Sequence, residues 1–236
     1  MFTELKAQNP WPQHPSLDRV VDLNLDGGGR EMLQKFIVDE NINLMLEVGS
    51  FLGGSARQWL TASPKLNLIC VDPWSRGLAT SIKSLRSKAW AAKVYTQEDV
   101  DFCLDVLSRH APLELVASNL SEFKDRVVLI QDTSPEIFAK LEDQKVRPDL
   151  IYIDTTKTPE HILVPHYVFP RAIIAGDDWS WRNPIGEMPV RRPVIQVARE
   201  RKAKIYAVRQ TFIVAPKGRQ RSIDRRYEYA EVMAAT

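Results

Sequence analysis

Apolar residues in this chain fall in short unbroken runs rather than in strict alternation. The runs are Leu44–Val48 (LMLEV), Leu66–Val71 (LNLICV), Val127–Ile130 (VVLI), Leu150–Ile153 (LIYI) and Ala172–Ala175 (AIIA). Such runs predict strands buried on both faces, as in a parallel sheet. Helical patterns lie between them. Arg30–Glu40 precedes the first run and Gly54–Thr61 follows it; Gln97–His110 and Leu113–Phe123 follow the second. Ser134–Asp143 follows the third, Pro159–Tyr167 the fourth and Pro189–Lys202 the fifth. Strands alternating with helices define a doubly wound α/β architecture. Two more strands, Lys204–Arg209 and Thr211–Ala215, are separated by little more than Gln210 and predict a tight antiparallel hairpin. Ser222–Ala235 predicts a terminal helix.

The 236 residues read as one domain, with a leading segment 1–30, an insertion 75–126 and a tail 216–236. The insertion carries Trp90, Tyr95, Lys83, Arg86, Lys88 and Lys93. Its length suits either a lid over a substrate or a packed helical addition. A content of 44% hydrophobic and 26% charged residues fits a soluble globular protein. No apolar run approaches the ~18 residues of a membrane span, so no membrane partner is expected. The first residues lack a signal-peptide pattern. Cys70 and Cys103 are the only cysteines, which suits a reduced, cytoplasmic setting without a disulfide framework. The net charge of +2 gives no overall pull toward nucleic acid. Residues 181–236 hold 13 Lys/Arg against 5 Asp/Glu, or +8, leaving −6 for the rest. A solvated helix and tail explain that asymmetry more simply than an acidic partner does. Nothing read so far excludes a homo-oligomer.

The first strand runs into Glu47-Val48-Gly49-Ser50-Phe51-Leu52-Gly53-Gly54-Ser55. Glycine at 49 and 53 allows a sharp turn and a close approach of ligand to backbone. In an open α/β sheet, ligands gather at this edge. The spacing E-x-G-x-x-x-G-x-S is not the G-x-G-x-x-G of dinucleotide folds, and no Lys-Ser/Thr follows as in a phosphate-binding loop. Both absences argue against a pyrophosphate ligand. Asp72 ends the second strand, in Val71-Asp72-Pro73-Trp74, where a carboxylate can accept both hydroxyls of a ribose. Trp74 suits either a nucleoside face or the core. Asp132, Thr133 and Ser134 follow the third strand; Asp132 or Ser134 can hydrogen-bond an adenine, and helix capping accounts for Thr133 or Ser134 equally well.

Taken in order, these features resemble the S-adenosylmethionine (SAM) site of class I methyltransferases. The closest likeness is to the small metal-dependent O-methyltransferases of the catechol type. The chain is also similar to the sugar and macrolide O-methyltransferases and to the cephalosporin-hydroxylase-like group. The resemblance spans about residues 30–215. It implies a Rossmann-like fold with a seven-stranded mixed sheet, order 3-2-1-4-5-7-6, strand seven antiparallel. It also implies SAM as cofactor, held by Glu47, Gly49, Ser50, Phe51, Gly53, Ser55, Asp72, Trp74, Asp132, Thr133 and Ser134.

A cluster of acids follows. The fourth strand ends at Asp154 and the fifth at Asp177-Asp178, so neighbouring parallel strands would bring three carboxylates to one edge. Clustered carboxylates repel unless a cation or protons neutralise them. A hard divalent ion with oxygen ligands is a usual solution. The resemblance implies that Asp154, Asp177 and Asp178 hold Mg²⁺, with Asp178 standing where the catechol type has Asn, which leaves Mn²⁺ or Ca²⁺ open. It also implies a base at Lys157, three residues after Asp154, where sugar and macrolide relatives have His. His161 and His166 read as histidines on a helix surface, with His161 a reserve base. Trp179 and Trp181 suit a substrate wall or the core.

The reaction implied is methyl transfer to a hydroxyl of a small molecule such as a sugar, polyketide or vicinal diol. The metal would bind the acceptor oxygen beside catalytic Asp154, and Lys157 would take its proton. Two readings compete. A nucleic-acid methyltransferase would use the basic tail, but Asp154-Thr155-Thr156-Lys157 stands where base-methylating enzymes carry D/N-P-P-Y/F. A SAM-binding protein without catalysis, or an accessory to another enzyme, would bind SAM with no turnover.

Overall fold

A computed structural model of the chain describes residues 1–24, 28–88, 91, 94–219, 223 and 227–229. Trp90, Lys93 and most of Ser222–Ala235 lie outside these residues. The strands are β1 (Leu44–Val48), β2 (Asn67–Asp72), β3 (Val127–Gln131), β4 (Leu150–Ile153), β5 (Ile173–Gly176), β6 (Lys204–Val208) and β7 (Thr211–Ala215). The helices are α1 (Phe2–Gln8), α2 (Arg30–Asp39), α3 (Gly54–Ala62), α4 (Gly77–Leu85), α5 (Gln97–Arg109), α6 (Pro112–Asn119), α7 (Glu136–Asp143), α8 (Glu160–Val168) and α9 (Arg191–Glu200). The seven strands form one sheet, β3-β2-β1-β4-β5-β7-β6, with only β7 antiparallel to its neighbours.

Every apolar run of the sequence became a strand, because each is covered on both sides. Alternate residues of a strand point to opposite faces. Met45, Leu68, Cys70 and Tyr152 pack against Phe36 of α2 and Trp59 of α3. Leu46, Val48, Ile69 and Ile151 pack against Phe138 of α7 and Val194 of α9. Such two-sided burial makes the runs continuous rather than alternating.

Several expectations need correction. Two residues, Arg209 and Gln210, join β6 to β7, since Val208 pairs with Thr211. Arg209 takes φ +51, the left-handed conformation that two-residue hairpins use. The helix expected from Leu113 to Phe123 begins at Pro112 and breaks after Asn119 into a 3-10 turn at Ser121–Phe123. Within the expected terminal helix, Glu228 instead pairs antiparallel with Tyr206. Helix α1 was not anticipated from the sequence, and α4 lies within the insertion 75–126 without having been placed there as a helix of its own. Each buries few side chains, Leu5 on α1 and Leu78 and Ile82 on α4, so their apolar signal is weak.

At the amino edge of the sheet, two arginines cap helix ends. Arg126 donates to the carbonyls of Leu60, Ser63 and Leu66 at 3.2, 3.0 and 3.1 Å, closing the end of α3. Arg201 closes the end of α8 on the carbonyls of His166 and Phe169. A cation suits a helix C-terminus, whose last carbonyls lack partners within the helix. Arg126→Ala leaves three part-buried carbonyls without their charged donor. The expected loss is about 2–3 kcal/mol, read by urea unfolding.

Candidate active site at the carboxyl edge of the sheet

The candidate residues are positioned by the parallel ladder continuing one residue past the strand ends. The Gly49 N–H donates to Val71 O at 2.8 Å, the Asp154 N–H to Val48 O at 2.9 Å and the Asp177 N–H to Ile153 O at 3.1 Å. On the far side, the Asp132 N–H donates to Asp72 O at 3.2 Å. Four loops are thereby held along one edge, outside β1 and β4, where the chain's direction of winding reverses. Ligands of open α/β sheets bind at that point.

A cavity of about 260 Å³ opens there. Gly49, Phe51, Asp72, Asp132, Ser134 and Asp154 line it, together with Val48, Val71, Pro73 and Thr155. Gly49 takes φ +92, and a Cβ at that position would stand 1.8 Å from Asp154 O. Only glycine lets the first loop lie this close to the fourth. Asp72 ties two loops together. Its carboxylate accepts from the Phe51 N–H at 3.0 Å and the Trp74 N–H at 2.9 Å. Burial raises the Asp72 carboxyl above its ordinary range, against those two amides.

Other residues expected around SAM lie behind the cavity. Glu47 is fully buried and accepts from the Trp59 indole at 3.1 Å. Burial raises its carboxyl, and Ser55, Ser50 and Trp59 oppose the shift. Ser50, Ser55 and Glu47 therefore brace the loop from within the protein. Gly53 turns the chain into α3 at φ +86. Trp74 corrects the sequence reading: it is 1% exposed, and its indole donates to Phe51 O at 2.7 Å, so no ring face remains for a nucleoside. Thr133 points to solvent and donates to Glu136. Asp132 lines the cavity while pairing with Lys140 at 2.6 Å. Burial pulls its carboxyl upward, but the Lys140 hydrogen bond and charge together with the Thr133 amide outweigh it, and the carboxyl is lowered.

The acidic trio meets two basic side chains. Arg30, the first residue of α2, is 2% exposed. Its guanidinium donates to the Tyr152 hydroxyl at 3.1 Å, Asn24 Oδ1 at 2.7 Å, Asp154 Oδ2 at 2.9 Å and Asp177 Oδ2 at 3.3 Å. Burial opposes the Arg30 charge, and Tyr152, Asp154 and Asp177 together outweigh it. Lys157 pairs closely with Asp178 and donates to Thr155 O at 2.8 Å. Burial pushes the Asp177 carboxyl up to about 7, with Asp154 adding to the shift and Arg30 opposing it.

This arrangement does not fit the expected divalent ion. Among the described residues, no group of three or more His, Cys, Asp or Glu side chains converges as metal ligands. The oxygens of Asp154 and Asp177 that would share an ion share a guanidinium nitrogen. A divalent cation within about 4 Å of that charge is opposed by roughly 8 kcal/mol at an effective dielectric near 20. Arg30 is the main residue the sequence reading missed. One signal was present: a cation in the first turn of a helix opposes the helix dipole and implies a partner elsewhere.

The histidines also need correction. His161 is buried, not on a helix surface; it meets Ser134 Oγ at 2.7 Å and Thr156 Oγ1, bridging the loops after β3 and β4. His166 is buried against Glu200 and Arg201. Trp179 is core, edge-on to Tyr229 at 4.9 Å, whereas Trp181 is 37% exposed.

A seven-stranded sheet in this order, with a glycine turn after β1 and an acid ending β2, defines the class I methyltransferases. Comparison with known proteins agrees. The family model described as a methyltransferase domain matches residues 46–179, from β1 to the loop after β5. The chain belongs to that family and is a SAM-dependent methyltransferase. No curated protein matches it. Among solved structures, a spermidine synthase is 12% identical at TM-score 0.50, covering 85% of this chain and 63% of its own, a likeness of fold alone. TomG, an O-methyltransferase from Streptomyces achromogenes involved in tomaymycin synthesis and solved with SAM, is 14% identical at TM-score 0.49, covering 91% and 95%. An O-methyltransferase from Bacillus cereus in complex with SAH is 13% identical at TM-score 0.46, covering 90% and 86%. No helix among the described residues is long and apolar enough to cross a membrane.

Gly49→Ala forces the first and fourth loops apart and places a side chain at positive φ. The expected loss is about 1–3 kcal/mol, read by thermal or urea unfolding. Asp177 gives a pH signature. A carboxyl whose folded pKa lies above its unfolded value costs stability as pH rises from about 4 through about 7. Relative to wild type, Asp177→Asn is expected to gain stability between pH 5 and pH 8, measured by melting curves across that range.

Proposed function

We propose that this enzyme transfers a methyl group from SAM to a hydroxyl of a small molecule at the cavity between Asp72 and Asp154. The observation that carries this reading is the lining itself. An acid suited to a ribose stands on one side, and polar Asp132 and Ser134 suit an adenine. A third acid, Asp154, stands at the end of β4.

SAM, when bound, supplies an electrophilic methyl on a sulfonium. The protein's own residues do the rest. Asp72, fixed by the Phe51 and Trp74 amides, keeps lone pairs for two vicinal hydroxyls. The Gly49 turn brings backbone to the ligand without a side chain between them. Asp154 is oriented by Arg30 through Oδ2, and among the described residues its Oδ1 accepts no hydrogen bond. That oxygen takes the proton of the acceptor hydroxyl as the new O–CH₃ bond forms and the S–CH₃ bond breaks. Asp154 is preferred over Lys157 as base because Lys157 is engaged with Asp178 and Thr155 O and does not line the cavity. Holding both partners in line at near-attack distance supplies much of the rate gain.

The test measures SAM affinity by calorimetry and methyl transfer to a panel of sugars, phenols and polyketide alcohols. Asp72→Asn is expected to weaken SAM roughly tenfold, the loss of a charge-assisted hydrogen bond. Asp154→Asn is expected to lower kcat roughly 100-fold, the lower end for general base catalysis, with SAM affinity unchanged. Methylation of amines or nucleic acid with no hydroxyl acceptor turned over would reject the reading. SAM binding without turnover on any acceptor would point to a non-catalytic role.

A further inference from the structure

The three aspartates bear a net charge that the chain itself must compensate. Arg30 reaches them from outside the sheet. Gly28 and Gly29 take φ +93 and +107, and a Cβ on Gly29 would stand 2.1 Å from Val208 O. This turn, bonded through Gly28 O to the Gln210 N–H at 3.2 Å, is pressed against the β6–β7 hairpin. The start of α2 is thereby fixed, and the guanidinium is delivered between the ends of β4 and β5. Thr211, on the same hairpin, donates to the second oxygen of Asp177 at 3.5 Å. Asn24 accepts from Nη1 and the Tyr152 hydroxyl from Nε of Arg30. All three guanidinium nitrogens donate, to groups from four separate segments.

We infer that Arg30 is a built-in cation that takes the place of a divalent metal: it shares its one charge between Asp154 and Asp177, Lys157 pairs with Asp178, and the site takes up no metal ion. Arg30 is then a positioning residue. By holding Asp154 Oδ2 it fixes a carboxylate of the cavity lining and leaves Oδ1 as the oxygen for the acceptor, and the acceptor needs no second oxygen to chelate a metal. This deepens the hydroxyl-methylation reading and rests on it for the role of Asp154, but the charge substitution stands on geometry alone. A fixed guanidinium costs no ligand exchange, keeps its charge at any working pH, and here donates from one nitrogen to both carboxylates.

The experiment titrates chelator-treated protein with Mn²⁺ and follows the free-ion signal by electron paramagnetic resonance. No methyl donor or acceptor is present, so failure here is separate from failure to methylate a hydroxyl. Wild type is expected to leave the signal at the level of buffer. Arg30→Met removes the cation and leaves the carboxylates facing one another. It is expected to take up Mn²⁺ with loss of the free signal, and Mn²⁺ is expected to raise its melting temperature. Arg30→Lys restores a charge and is expected to return most of the signal. Uptake of Mn²⁺ by wild type, abolished by Asp154→Asn, would overturn the inference whether or not Arg30→Met folds. So would a folded Arg30→Met that takes up no ion.

Discussion

Charge buried in a medium of low dielectric must be compensated within a few ångströms, and at the carboxyl edge of this sheet that requirement falls on Arg30. Its guanidinium joins the leading segment through Asn24, β4 through Tyr152, and the loops after β4 and β5 through Asp154 and Asp177. Removing the guanidinium from this arrangement would leave buried carboxylates without a cation, which costs more than the pairing was worth. The turn at Gly28 and Gly29 against the hairpin fixes the start of α2, and that placement lets one group hold Asp154 and Asp177 together.

The cavity beside Asp72 obeys a different constraint. There the problem is to bring two loops together closely enough to form one wall. Gly49 does this by having no side chain against Asp154 O, and Asp72 does it by accepting an amide from each of the first two loops. The indole of Trp74 completes the closure on Phe51 O. Behind this wall, Glu47 is an acid in the core, tied to Trp59. A residue that looks like a ligand contact in the sequence is thus a support for the loop that lines the cavity. The same division separates His161, which links two loops beneath the cavity, from Asp132 and Ser134, which face into it.

The strand pattern was legible because it rests on local chemistry. Unbroken apolar runs such as LMLEV and LIYI need cover on both faces, and a parallel sheet between two helical layers is the arrangement that supplies it. The same logic puts Gly49, Asp72, Asp154 and Asp177 at one edge on the strength of chain direction, since a residue just past a parallel strand stands at the carboxyl edge. Helices α1 and α4 were illegible because few of their side chains are buried. Trp74 and the two histidines were illegible for the opposite reason: their surroundings come from segments distant in the chain.

The sequence by itself determined the class of fold, the edge at which the chemistry gathers and the residues that end its strands, because periodicity and chain direction are local properties. Only the tertiary structure decided what neutralises the aspartates. Arg30 lies 124 residues before Asp154 and 147 before Asp177. No spacing rule links them, and a lone arginine at a helix start gives no hint of which carboxylates it will meet. That pairing exists only once the sheet brings the ends of β4 and β5 together beneath the first turn of α2. It changes the expected metal centre into a site whose cation belongs to the chain.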